Sequence, residues 1–169
     1  MNNTLFGITG WKNSGKTRLV SLLVSEFTNR GLKVSTIKHA HHSFDIDHEG
    51  KDTWQHRQAG ASEVAIVSNK RWALMSETKD ENEPTLNEIA SKLAPCDIVL
   101  VEGYKTQNHL KIETIRANEN AQIPIYENDK SIVALVCDDQ NIDTNLPIFG
   151  SDNIAAIADF ISQKTKATG

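Results

Sequence analysis

Thr4-Leu-Phe-Gly-Ile-Thr9-Gly10-Trp11-Lys12-Asn13-Ser14-Gly15-Lys16-Thr17-Arg18-Leu-Val-Ser-Leu-Leu-Val-Ser-Glu-Phe27 decides the reading of this chain. Its middle, Gly10 to Thr17, fits G-x-x-x-x-G-K-[ST] without a mismatch. The apolar run before it reads as a strand and the run after it as a helix, the setting in which this pattern works. The two glycines let the backbone turn tightly and present its amides. Successive N–H groups then face one concavity, and the helix start adds a partial positive charge. Lys16 supplies a full charge for β- and γ-phosphates, and the Thr17 hydroxyl is placed to ligate Mg²⁺. The alternative is a glycine-rich turn with an incidental Lys-Thr.

Outward from this stretch, strand and helix patterns alternate. Gly31 stops the first helix near Arg30. Residues 32–38 read as a strand, and Asp52–Ala59 as a short helix capped by Asp52. Residues 63–67 and 71–75 read as a hairpin, with Trp72 packed within it. Pro84 starts a helix to about Leu93. Asp97-Ile-Val-Leu-Val-Glu102-Gly103 is the continuous apolar run of a central parallel strand. Residues 111–115 read as another strand, 131–137 as a second buried one, 146–149 as an edge, and 153–161 as a closing amphipathic helix. The predicted fold is α/β: a three-layer sandwich with a mostly parallel sheet, of P-loop type, plus a β-hairpin. At 169 residues a single domain, 1–169, is expected.

Composition excludes several functions. Eighteen Lys and Arg against 22 Asp and Glu give a net charge of −4, so no basic excess exists to hold nucleic acid. No apolar run approaches the roughly 18 residues of a membrane span, and no signal-peptide pattern precedes the first strand. Cys96 and Cys137 lie far apart, each beside an apolar run, and read as free thiols. The cytoplasm is the expected compartment.

Phosphate chemistry usually needs a carboxylate near the metal. Asp97 and Glu102 bracket the central strand, about 16 Å apart at about 3.3 Å per residue. Ligands bind at the C-terminal edge of a parallel sheet. That edge carries Glu102, which is therefore the candidate for the metal or its water, and Gly103 beside it suits close approach to a γ-phosphate. The candidate set is thus Lys16 and Glu102 for catalysis, Thr17 and Glu102 for the metal, and Gly10, Trp11, Lys12, Asn13, Ser14, Gly15, Lys16, Thr17, Arg18 and Gly103 for the nucleotide. No water-positioning Gln or arginine finger stands out, so hydrolysis should be slow.

Residues 39–52 form a long polar loop holding His39, His41, His42 and His48 with four acids. Imidazole suits Zn, Ni or Cu, but no H-x₃-H or C-x₂-C spacing anchors a rigid site. The loop reads as a metal site, as a contact for a nucleotide, a second phosphate-bearing ligand or a partner, or as plain polar surface. Trp54 reads as a helix-core contact. Trp11, a large aromatic inside the phosphate loop, reads as a cover for a ligand or a partner chain.

Four stretches together carry a family likeness: Gly10–Thr17, Thr36-Ile-Lys-His39 with its histidine-rich continuation, Asp47-His-Glu-Gly-Lys-Asp52, and Val99-Leu-Val-Glu-Gly-Tyr-Lys105. Arg57-Gln-Ala-Gly-Ala61 fits as well. The chain resembles the molybdopterin-guanine dinucleotide biosynthesis protein B (MobB) family. The resemblance implies a GTP-binding protein of the SIMIBI class of P-loop GTPases, dimeric and weakly hydrolytic. It further implies an adaptor that works with the molybdenum cofactor guanylyltransferase and a molybdopterin ligand to attach GMP to molybdopterin. GTP and Mg²⁺ are the implied cofactors. Carried onto this sequence, residues 10–17 hold the triphosphate and Mg²⁺, and Glu102-Gly103 lies at the γ-phosphate. Loop 39–52 lies where a switch or second ligand would sit. Trp11 stands where many relatives in the wider class have Lys, with Lys12 one position later. The guanine-reading pattern N-K-x-D is absent, since Asn69-Lys-Arg-Trp72 lacks its final Asp. Strand order makes Asp138 and Asp139 better placed for a base edge. The competing readings are a histidine-rich metallochaperone GTPase of the nickel-insertion type, a small-molecule kinase, and a nucleotide-sensing module without turnover.

Overall fold

A strand that is apolar at every position needs cover on both faces. The computed structural model, which describes residues 3–40, 44–78, 83–116, 123–139 and 142–166, supplies that cover. In chain order the elements are β1 (Leu5–Thr9), α1 (Lys16–Asn29), β2 (Val34–Lys38), α2 (Asp52–Gln58), β3 (Glu63–Val67), β4 (Trp72–Ser76), α3 (Leu86–Lys92), β5 (Ile98–Glu102), β6 (Lys111–Thr114), β7 (Ile132–Val136), β8 (Ile148–Phe149) and α4 (Ile154–Lys166), with a 3₁₀ turn at Ile125–Glu127. The chain divides into two compact units, Met1–His39 with Leu86–Gly169, and Ala40–Thr85.

The larger unit carries a six-stranded sheet ordered β2-β5-β1-β6-β7-β8, every pairing parallel. Residues of β5 alternate between two cores. Ile98 and Leu100 join one with Phe6, Ile8, Leu23, Phe27, Ile157 and Ile161, whereas Val99 and Val101 join another with Ile37, Leu86, Ala90 and Tyr104. Helices α1 and α4 therefore cover one face and α3 the other, which makes the predicted three layers. Helix α1 buries Leu19, Val20, Leu23 and Phe27, one stripe at helical spacing. It ends where expected, with Gly31 at φ 83° beyond its cap at Arg30.

Strand β6 forms where the sequence reading puts it, and Lys111, Ile112, Glu113 and Thr114 are all buried between β1 and β7. The charges are satisfied internally. Lys111 Nζ pairs with Asp129 Oδ2 at 2.8 Å and donates to the carbonyls of Gln107 (2.7 Å) and Lys105 (3.0 Å), using its three protons. Glu113 accepts the amides of Ile125 (2.9 Å) and Tyr126 (2.8 Å), holding the start of the 3₁₀ turn. Gly7 is needed here for space: a Cβ on it would lie 2.4 Å from Lys111 Cγ and 2.5 Å from His109 Nε2.

In the smaller unit β3 and β4 pair antiparallel, Val64 opposite Met75 and Val67 opposite Trp72. Trp72 corrects the sequence reading: it is 70% exposed rather than packed in the hairpin. With Val67 at 74% and Leu74 at 49% it forms one apolar face. In a two-stranded sheet only one face can be covered by its own unit, and Trp72 lies on the other. Asp52 is likewise not the cap of α2; Lys51 holds that position and Asp52 opens the first turn. Arg57 of α2 ties the unit together. It bonds Asp45 Oδ1 (2.9 Å) and Glu77 Oε1 (2.6 Å) and approaches Asp47 Oδ2 (3.7 Å). Both cysteines are free thiols, as expected.

Candidate functional site

Strand β1 delivers the chain to the loop at Gly10, whose φ of 142° belongs to glycine. Space demands the same residue. A Cβ there would stand 2.5 Å from the Thr114 carbonyl oxygen and 2.6 Å from both Ser14 Oγ and Thr114 Oγ1. The Thr114 hydroxyl donates to Thr9 O (3.1 Å), so Ser14 Oγ is the donor in its 2.7 Å bond to Thr114 Oγ1. These two bonds pin the loop to β6. Asn13 (φ 65°) and Gly15 (φ 96°) complete the turn into α1. The first helical bond runs from Leu19 N to Gly15 O at 3.0 Å. The amides of residues 15–18 thus have no acceptor within the helix, and they are available to an anion.

Lys16 arches back over this loop, its ammonium donating to the carbonyls of Gly10 (3.0 Å) and Trp11 (2.6 Å). Burial pushes its pKa below the ordinary lysine value; Lys105 and Lys38 add to the drop and Glu102 opposes it. Three cations therefore face one carboxylate, a local positive field in a chain of net charge −4. That field is what a polyphosphate would neutralise.

Strand β5 brings Glu102 to the same rim. It is 8% exposed, and its Oε1 accepts the Thr17 hydroxyl at 2.7 Å and lies 3.5 Å from Lys38 Nζ. Asp97, at the other end of the strand, instead accepts the Lys33 amide at 2.7 Å, far from the loop. Gly103 has φ 94°, and a Cβ on it would come within 3.1 Å of His39 Cβ. The His39 ring in turn stacks on Tyr104, centroids 4.5 Å apart. Thr17 and Glu102 present hard oxygens to one point, the donor type Mg²⁺ takes alongside phosphate oxygens. Among the described residues no group of three or more His, Cys, Asp or Glu could hold a metal by itself.

The remaining candidates are spread along the loop. Lys12, Asn13 and Arg18 are exposed, and Arg18 pairs with Asp152 at 2.8 Å. Trp11 packs within its own unit: its Nε1–H donates to Ile123 O at 3.1 Å and Lys105 Nζ stands 4.1 Å over its ring. His41 and His42 lie outside the described residues. Sequence reasoning missed Lys38, Lys105, Thr114 and Arg116. Their proximity to the loop depends on strand order, which no local pattern encodes.

The profile of the family described as Molybdopterin guanine dinucleotide synthesis protein B (MobB) matches residues 5–138. The chain belongs to the MobB family. It is 33% identical to the Escherichia coli (strain K12) molybdopterin-guanine dinucleotide biosynthesis adapter protein, over 93% of this chain and 90% of that one. It is 38% identical to the Haemophilus influenzae protein of the same name, over 95% and 90%. A crystal structure titled molybdopterin-guanine biosynthesis protein B superposes with a TM-score of 0.75 at 26% identity, covering 95% of this chain and 99% of the other. Bacillus subtilis MobB superposes at 0.72 and 25% identity, over 95% and 97%. The MobB fold and the phosphate loop thus coincide in one chain. No helix among the described residues is long and apolar enough to cross a membrane.

Proposed function

We propose that this protein is the GTP-binding adapter for assembly of molybdopterin guanine dinucleotide, assisting attachment of GMP to molybdopterin by a guanylyltransferase partner. Membership of the MobB family supports the pathway. The observation that carries the nucleotide is the phosphate loop with Thr17 and Glu102 joined at its mouth. Residues 10–18 cradle the phosphates, Lys16 exchanges its two carbonyl bonds for phosphate oxygens, and Thr17 and Glu102 hold Mg²⁺, which would neutralise phosphate charge. Gly103 lets the backbone approach the terminal phosphate. Lys38 is the cation beside Glu102, at 3.5 Å, and the sequence offers no water-positioning Gln or arginine finger, which goes with slow turnover and with binding and positioning as the main task. A single nucleotide-binding domain over residues 1–169, in the cytoplasm, goes with this reading. The bare face of Val67, Trp72 and Leu74 supports a homodimer.

The test is thermal unfolding with GTP, ATP and molybdopterin in turn. At 100 times its Kd, GTP with Mg²⁺ adds about 2.7 kcal/mol, a rise of roughly 5–10 °C for a chain this size. No shift at millimolar GTP ends this reading. Lys16→Ala removes the shift and Asp97→Ala retains it. Sedimentation of Trp72→Glu tests the dimer, the variant running as a monomer where the parent does not.

A further inference from the structure

Ile112 of β6 joins the core that α1 and α4 cover, so strand alternation turns Lys111 and Glu113 to the opposite face of the sheet. Two loops, 105–108 and 123–131, meet them there. Both loops line a cleft of about 720 Å³, whose walls include Trp11, Lys105, Asn108, Ile125, Asn128 and Lys130. We propose that this cleft is a second ligand site, for a phosphorylated pterin. The proposal rests on the pathway reading above and extends it to the pterin.

The two buried charges of β6 hold both walls of the cleft. Lys111 Nζ donates to the carbonyls of Lys105 and Gln107 in one loop and pairs with Asp129 in the other. Glu113 accepts the amides of Ile125 and Tyr126. Burying charge is costly, and well-packed apolar residues would often fill such a site as stably. What these charges supply is two loops fixed in place before a ligand arrives. Trp11 forms a further wall, its ring held by the bond from Nε1–H to Ile123 O at 3.1 Å. The volume lies within the roughly 300–1,000 Å³ of small-molecule sites.

The lining selects a flat, anionic ligand. Trp11 offers a ring face, over which Lys105 Nζ stands 4.1 Å from the centroid. That contact is weak beside a charge-assisted bond to phosphate, so the ammonium turns to the phosphate and the ligand's ring stacks on the indole. Lys130, also exposed, is a second cation. Asp129 is the one carboxylate among the described lining residues. Its Oδ2 pairs with Lys111, and its Oδ1 accepts the Ser131 amide and hydroxyl. Two positive charges therefore remain for an anion. The side-chain amides of Gln107, Asn108 and Asn128 make no bond to another described residue, and each offers both donors and an acceptor. The 2-amino-4-oxo edge of a pterin presents the same mixture. Guanine carries that edge too, which makes a second guanine nucleotide the rival occupant.

Oxygen-free isothermal titration of the full chain with molybdopterin, the phosphate loop being saturated with GTP and Mg²⁺, tests this. One equivalent per chain should bind, and the Lys16→Ala variant should bind it equally well without GTP. Inorganic phosphate, and GTP beyond one equivalent, should give no further binding. Lys130→Glu should weaken molybdopterin by about tenfold or more, Lys130→Arg should stay within a few-fold of the parent, and both should keep the parent's GTP affinity. Four results overturn the proposal: no molybdopterin bound, as when a second copy of the chain covers the cleft; molybdopterin displaced by GTP; a second GTP bound as tightly; or no effect of Lys130→Glu. In each of these the phosphate-loop reading stands. A chain that binds molybdopterin but not GTP overturns that reading and leaves the cleft assignment in place.

Discussion

The Thr17 hydroxyl donates to Glu102 Oε1 across 2.7 Å, joining the first turn of α1 to the end of β5. Two elements 85 residues apart thereby place a hydroxyl and a carboxylate at the mouth of one phosphate loop. Parallel pairing of β1 with β5, Ile8 opposite Glu102, sets the height of the carboxylate on the rim. Glu102→Gln retains an acceptor for Thr17 but removes the charge a divalent cation needs. GTP affinity measured with Mg²⁺ should fall about tenfold or more, near 1.4 kcal/mol, while affinity measured in EDTA stays within a few-fold of the parent.

Gly10 and Gly50 separate two reasons for glycine. Both have positive φ, but a Cβ at Gly10 meets the Thr114 carbonyl at 2.5 Å, whereas one at Gly50 meets nothing within 4 Å. Gly50→Ala should cost about 1 kcal/mol, the strain of a left-handed backbone alone. Gly10→Ala should also displace the loop from β6 and abolish GTP binding. Chemical denaturation and calorimetry on the two variants check this.

Lys111 is fully buried and fully paired, so removing it strands what it satisfies. Lys111→Met leaves the Asp129 carboxylate without its cation and takes one donor from each of the Lys105 and Gln107 carbonyls, Gln107 keeping the His109 amide. The expected loss is about 3 kcal/mol in urea unfolding. Adding Asp129→Asn should return part of it, since the stranded charge is then gone.

His109 makes stability depend on acid. Both ring nitrogens are buried without a hydrogen-bond partner, and burial first, then the charge of Lys111, push its pKa down to about 4. In the unfolded chain the value returns to an ordinary 6.5. Between these values the unfolded state binds more protons, so stability is complete above about pH 6.5 and falls as the pH drops towards 4. The ring is partly open to solvent, which holds the effect to on the order of 1–2 kcal/mol. Unfolding free energies at pH 7.5 and 4.5 should differ by that much more in the parent than in His109→Leu.

Elements that a local pattern controls were legible. The loop at 10–17, the apolar alternation of β5 between two cores, the glycine after α1 and the far position of Asp97 all follow from residues within a few positions of one another. The exposure of Trp72 and the burial of Lys111 in β6 were not. A hairpin pattern says that two faces exist, not which one is covered, and charged alternation says nothing about a lysine whose acceptors, Asp129 and Gln107, come from separate loops.

The amino-acid order alone determined that a strand, a phosphate-type loop and a helix follow one another, because backbone turning, amide exposure and helix propensity are local properties. Tertiary structure alone decided which side chains share that loop's rim. Lys38, Glu102, Lys105, Thr114 and Asp138 reach it only because β2, β5, β6 and β7 lie parallel around β1. That order is fixed by burying apolar residues on both faces of the sheet at once, a condition on the whole chain.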